Sequence, residues 1–356
     1  MNANKTRKVC GKAFLRSIAS IAIGIGLVVI FISCSKKKTT ELQPIHVGWQ
    51  VAWATQGQIA MALQRTNALE LMGLKGDFKS FTYGAPLSEA ALAGQLDVAF
   101  VGDQPAVNLL SRSEDWRIVA RLMDFRVAIV VPPNSPIKSI ADLKGKTLGI
   151  PFGASTHRVA LQWIKEAGLD PAKDVNILNI DILEQSDMIK SSTGKNWPKV
   201  DAFASWDHHI ALYEKQDLAR VLKSGTALGV VMMSQTLIGK NPEEAAQFIA
   251  AYKLSYLYFA QHQEEVNRWF TDAAGGNFDP ILLKTVAEVE PNMKATTLDQ
   301  VDIEIGSKQI AMLQQAADFA QQQGLIKSQL NINQTISNGP MQRVNELLKA
   351  NSYNVK

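Results

Sequence analysis

Apolar positions along the chain follow two rhythms that take turns. Short apolar or alternating runs are separated by segments with an apolar residue every three or four positions. The first pattern predicts strands and the second predicts helices. Strands are expected at Ile45–Trp49, Phe78–Tyr83, Leu96–Val101 and Arg126–Val131. Helical spacing runs through 56–72, with Ile59, Ala60, Leu63, Leu69 and Met72 on one face, and again from Pro86 to Leu92 before Gly94. Gly102-Asp103-Gln104-Pro105 opens a further helix, with Asp103 expected at its N-cap. This alternation predicts a parallel α/β sheet.

Pro132-Pro133-Asn134-Ser135-Pro136 breaks the strand that precedes it, and the same alternation then starts afresh. Strands are expected at 148–151, 175–182 and 200–204, and helices at 157–167 and from about Asp207. Gly229–Met233 is an apolar strand that could cross back, and from about Pro242 the chain is helix-rich, with amphipathic segments around 245–259 and 310–323. The expected fold is therefore α/β with two lobes, two parallel-rich sheets flanked by helices and joined by two crossing strands. Its expected division is 45–131 plus 234–356 for lobe 1 and 132–233 for lobe 2. A chain of 356 residues is long for one core, which agrees with two lobes.

The N-terminus does not fit this pattern. Lys5, Arg7, Lys8, Lys12 and Arg16 form a basic start, and Ser17–Ser33 carries no charge. Residues 1–33 read as an export signal, followed by a linker over 34–44. The other reading is a retained membrane helix, for which 17 uncharged residues are short. The junction Phe31-Ile32-Ser33-Cys34 resembles the bacterial lipobox, which makes Cys34 the expected lipidation site and the membrane a partner through that anchor. The expected location is the periplasm or cell surface. The only other cysteine is Cys10, so the body has no disulfide, cysteine nucleophile or thiolate metal site. The formal charge is +4, and removing the five basic residues of the leader leaves −1 for the rest. No basic stripe interleaved with aromatics calls for nucleic acid.

In two α/β lobes joined by crossings, the strand C-termini face the cleft between them. Three loops would lie there: Tyr83-Gly84-Ala85, Gly102-Asp103-Gln104 and Gly153-Ala154-Ser155-Thr156. Each begins a helix, and a helix start offers unpaired amides and about half a positive charge. Glycine admits close approach, and the hydroxyls of Ser155 and Thr156 add donors for an anion. A plain capping role for Ser155 is the competing reading. His157 and Arg158 could add positive charge or lie at the surface, and Arg126 could reach the cleft or pair with an acid. Trp49, Trp53 and Trp206 would stand near the cleft mouth or pack the core. Asp103 and Asp207 either cap helices or meet the amine of a zwitterionic ligand.

The segments SFTYGAPLSEAALAGQLDVAFVGDQPAV (80–107), SIADLKGKTLGIPFGASTHRVALQWIKEAGLDPAKDV (139–175) and VDAFASWDHH (200–209) resemble the ABC-transporter solute-binding proteins for aliphatic sulfonates, taurine and nitrate, relatives of those for thiamine-pyrimidine precursors. The resemblance covers most of the chain after the leader. It implies a type II periplasmic-binding-protein fold, a small anionic or zwitterionic solute, a permease and its ATPase as partners, and a monomer without cofactor or metal. An aliphatic sulfonate or taurine is the expected ligand, with nitrate or a pyrimidine as the alternative. Pyrimidine-forming enzymes of this fold family carry a cysteine-rich segment that is absent here, and no HExxH, GxSxG or GxxxxGK[ST] occurs, so no enzyme is expected. A sensory domain is the remaining alternative.

Overall fold

The computed structural model describes residues 42–192, 196–276, 278–349 and 353–356. The expected leader, Cys34 and the linker up to residue 41 lie outside the described residues. Eight strands form one continuous hydrogen-bonded array in the order β2-β1-β3-β8-β4-β7-β5-β6. They are β1 Gln43–Gln50, β2 Leu74–Phe81, β3 Val98–Gly102, β4 Trp116–Val131, β5 Thr147–Ile150, β6 Asn176–Asn179, β7 Ala202–Trp206 and β8 Arg220–Ser234. The helices of the first lobe are α1 Ala54–Arg65, α2 Ala68–Leu71, α3 Gly84–Leu92 and α4 Asp103–Arg112. The second lobe holds α5 Ser155–Glu166, α6 Ile182–Ser191 and α7 His209–Lys215. The chain then returns through α8 Gln235–Lys240, α9 Pro242–Gln261, α10 Gln263–Ala273, α11 Pro280–Ala287, α12 Ser307–Gln322 and α13 Gly339–Lys349. Among the described residues no helix is long and apolar enough to cross a membrane.

The array is continuous because β4 and β8 pair antiparallel from Trp116↔Ser234 to Val131↔Arg220 and so belong to both lobes. β3 joins β8 only over Val98↔Met233 to Gly102↔Gly229, whereas β7 joins β4 only over Val127↔Trp206 to Val130↔Phe203. The crossing therefore lies within the strands, near 123–127 and 225–229. Arg126–Val131 sits beside second-lobe strands and Gly229–Met233 beside first-lobe strands, the reverse of the expected division. We accordingly propose lobe boundaries inside β4 and β8. Sequence pattern alone places the break at the prolines because Pro132 and Pro133 end β4, not the lobe.

Buried strands explain the uniform apolar runs. In β3, Val98 and Phe100 face one core with Ile59, Phe248 and Tyr252, while Ala99 and Val101 face another with Leu87, Leu109 and Leu313. The neighbouring β8 divides the same way, Val231 and Met233 against Val230 and Met232. In the second lobe, Ala128, Val130 and Phe203 pack on Ile189, Trp197 and Tyr213. Covered on both faces, these strands show no polar alternation.

Candidate functional site

Strand direction builds the cleft. β1, β2 and β3 are parallel, and β3 and β4 both run antiparallel to β8. β7 runs antiparallel to β4, with β5 and β6 parallel to β7. The C-terminal ends of β1 and β3 therefore point toward those of β5 and β7, and the helices that follow begin at the meeting line.

A small cavity lies on that line. The first lobe contributes Gln50, Trp53, Tyr83, Gly84, Gly102 and Pro105; the second contributes Ala154, Ser155 and Trp206; Phe125 of β4 stands where the lobes join. Four helix starts reach it: α1 after Trp53, α3 after Tyr83, α4 after Gly102 and α5 after Ala154. The amides of Gly84, Ala85, Ser155 and Thr156 sit in first turns, which have no intrahelical acceptor. The Trp53 ring is 4.4 Å from that of Phe125 between centroids. Its indole N–H is buried without a partner, although a buried tryptophan N–H usually finds one. No lysine, arginine, aspartate or glutamate among the described residues lines the cavity.

The lobes are in contact across this cleft. A Cβ on Gly102 would overlap the Ser155 hydroxyl, so glycine is what allows α4 and α5 to approach. Gly153 has φ +78°, a conformation that suits glycine, and a Cβ there would lie 3.2 Å from that of Ala85. The Trp206 indole donates to the Ala52 carbonyl of the other lobe at 2.9 Å.

Of the residues singled out from sequence, Trp53, Tyr83, Gly84, Gly102, Ala154, Ser155 and Trp206 line the cavity. Ala85 and Gly153 touch one another beside it. Thr156 is buried next to Ser155 with its hydroxyl unpartnered. Trp49 is packed in the core, 4% exposed. Gln104 is buried and gives its amide N–H to Asn108 at 2.7 Å.

Asp103 is not the N-cap; Gly102 holds that position. The Asp103 carboxylate accepts from its neighbour's amide, Gln104 N, at 2.7 Å and from Arg158 Nη2 of the other lobe at 2.7 Å. Asp103 and Arg158 are almost fully buried and satisfy one another's charge. Asp207 does serve the start of α7, accepting from Ala211 N at 3.3 Å, and it binds Arg126 through two 2.8 Å hydrogen bonds. Burial pushes its carboxyl up in pKa against the downward pull of Arg126. His157 stacks on Phe152 at 4.6 Å and accepts from Gly153 N through Nδ1 at 3.3 Å. Desolvation lowers its pKa to about 4, so it is a neutral ring and not a source of positive charge.

Sequence reasoning missed Gln50, Pro105 and Phe125. Gln50 ends β1 and gives its amide N–H to Phe100 O at 2.8 Å. Phe125 reads in the sequence as one more apolar residue before a strand. Its place in the cleft appears only once β4 is known to cross.

Two α/β lobes on paired crossing strands, closing on a small cavity ringed by helix starts, define the periplasmic-binding-protein fold. A family profile described as "ABC transporter, phosphonate, periplasmic substrate-binding protein" matches residues 67–187. A protein of Escherichia coli K12 named as an aliphatic sulfonates-binding protein is 25% identical over 90% of this chain and 97% of its own. The taurine-binding periplasmic protein of the same organism is 26% identical over 39% of this chain and 43% of its own. The alkanesulfonate-binding protein SsuA of Xanthomonas axonopodis pv. citri, solved with MOPS, superposes with a TM-score of 0.68 at 19% identity, covering 83% of this chain and 99% of that one. In sequence and fold the chain is thus similar to periplasmic solute-binding proteins of ABC transporters, with sulfonate-binding proteins among the relatives. The same fold also carries the desulfurization enzyme DSZB, at 15% identity and a TM-score of 0.62 in its complex with biphenyl-2-sulfinic acid.

Proposed function

We propose that the chain captures a small organosulfonate in the interlobe cleft and presents it, closed, to an ABC permease and its ATPase. The observation that carries this reading is the buried, unpartnered Trp53 indole N–H in a cavity where helix starts of both lobes meet. An anion there would be held by first-turn amides, the Ser155 hydroxyl and the indole, without a charged side chain. A sulfonate spreads one charge over three acceptor oxygens, which suits several neutral donors. Each lobe supplies part of the shell, so binding favours the closed form by the difference in contacts between the two states.

The chain is proposed to act as a monomer held at the membrane by a lipid on Cys34, with residues 1–33 removed on export. Intact-mass analysis of the membrane-extracted protein would show the acylated species, and Cys34→Ser would abolish it. For the ligand, the test is calorimetry with Ser155→Ala/Thr156→Ala. Affinity for an alkanesulfonate is expected to fall about 10-fold or more, as for the loss of one or two hydrogen bonds to a charged group. The melting temperature without ligand should hardly change. Unchanged affinity would count against the site.

A further inference from the structure

Resting on the sulfonate reading of the cleft, we infer that this chain prefers a sulfonate bearing a planar ring and discriminates against a zwitterion of the taurine kind. Two features of the cavity lead there. Tyr83, Trp53, Phe125 and Trp206 supply most of the lining beyond the helix starts, so the part of the solute that is not the acid group meets aromatic surface. Ring surfaces gain from a flat apolar partner through area burial and stacking.

The second feature is charge. A taurine-like solute brings an ammonium group that must lose water on closure, and a buried cation needs an anionic partner. No carboxylate lines the cavity among the described residues. The two acids that sequence places nearby are committed elsewhere, Asp103 to Arg158 at 2.7 Å and Asp207 to Arg126 at 2.8 Å. The side-chain acceptors that remain in the lining, the Gln50 amide oxygen and the Ser155 and Tyr83 hydroxyls, are neutral. Trp53 also packs against Phe125, 4.4 Å between ring centroids, which leaves less open π surface for a cation.

The experiment is a calorimetric panel of benzenesulfonate, ethanesulfonate and taurine on the purified protein and on Tyr83→Leu. Tyr83 is half-buried at the edge of the cavity, so this variant is expected to fold. Benzenesulfonate should bind at least about 10-fold tighter than ethanesulfonate and taurine, a 1.4 kcal/mol difference. Tyr83→Leu should lose most of that advantage while changing ethanesulfonate affinity less than about threefold. Taurine or ethanesulfonate binding as tightly as benzenesulfonate would overturn the ring preference and leave the sulfonate reading standing. An advantage for benzenesulfonate that Tyr83→Leu leaves intact would overturn the assignment to this aromatic lining. No binding by any of the three would overturn both.

Discussion

Buried histidines set the acid behaviour of the molecule. Desolvation lowers the pKa of His157 to about 4 and of His209 to about 3, and that of His208 well below its ordinary value. The unfolded chain titrates its histidines near 6.5. Below that pH it binds protons that the folded form refuses, so stability is full above 6.5 and falls as pH drops toward 4 and 3. Each such histidine contributes a slope of up to about 1.4 kcal/mol per pH unit. Urea unfolding of the wild type at pH 7, 6, 5 and 4 should show this loss, and His157→Gln should have a shallower dependence between pH 6 and 4. Parallel curves would refute the assignment for His157. At this scale the sequence is least legible. Asp103 and His157 are recognisable as polar residues at helix starts, but the partners that decide their roles, Arg158 across the cleft and the Phe152 ring, are set by tertiary packing.

Among the elements, the helix starts were readable because their turn chemistry is local. Gly84, Gly102 and Gly153 each mark a strand passing into a helix, and the structure places all three at or beside the cleft. The long strands were not readable to their full extent. Trp116–Phe125 contains Arg117, Arg121 and Asp124, which interrupt an apolar pattern. Arg121 is nevertheless buried and bonded to the carboxylate of Glu290 at 2.6 and 2.8 Å, a partner 169 residues away. The helical spacing over 56–72 divides into α1 and α2 around Thr66 and Asn67, where α1 ends at a β-region Thr66. A prediction belongs to the turn before α4. Gly102→Ala would place a methyl on the Ser155 hydroxyl and obstruct closure, while leaving each lobe's own packing unchanged. Ligand affinity should drop about 10-fold or more with little change in melting temperature. A variant that binds like the wild type would show that the two helices do not need this approach.

For the whole molecule, the fold class was legible from the repeated strand–helix rhythm, and the comparisons bear out a two-lobed periplasmic-binding-protein architecture. The point of crossing was not legible, because a strand shared between lobes has no compositional mark at the place where its neighbours change. The closed arrangement is held by a buried ion pair between lobes, Asp103 with Arg158, and by the Trp206 indole on Ala52 O. Removing one member of a buried pair leaves the other uncompensated, at a cost of about 3–5 kcal/mol when it stays dry. Here opening the cleft would rehydrate Arg158, so Asp103→Asn should shift the population toward an open form. Small-angle scattering should then give a larger radius of gyration for Asp103→Asn than for wild type without ligand, and Asp103→Leu/Arg158→Leu should return toward the wild-type value. Identical scattering for all three would mean that the pair does not govern closure.

The claim that an organosulfonate seats between the lobes is tested most directly by a crystal structure of the protein grown with benzenesulfonate. The account predicts sulfonate oxygens within about 3 Å of the first-turn amides of α3 and α5 and of the Trp53 indole nitrogen. A sulfonate bound elsewhere, with the cavity at Gly84, Ser155 and Trp53 empty, would contradict it.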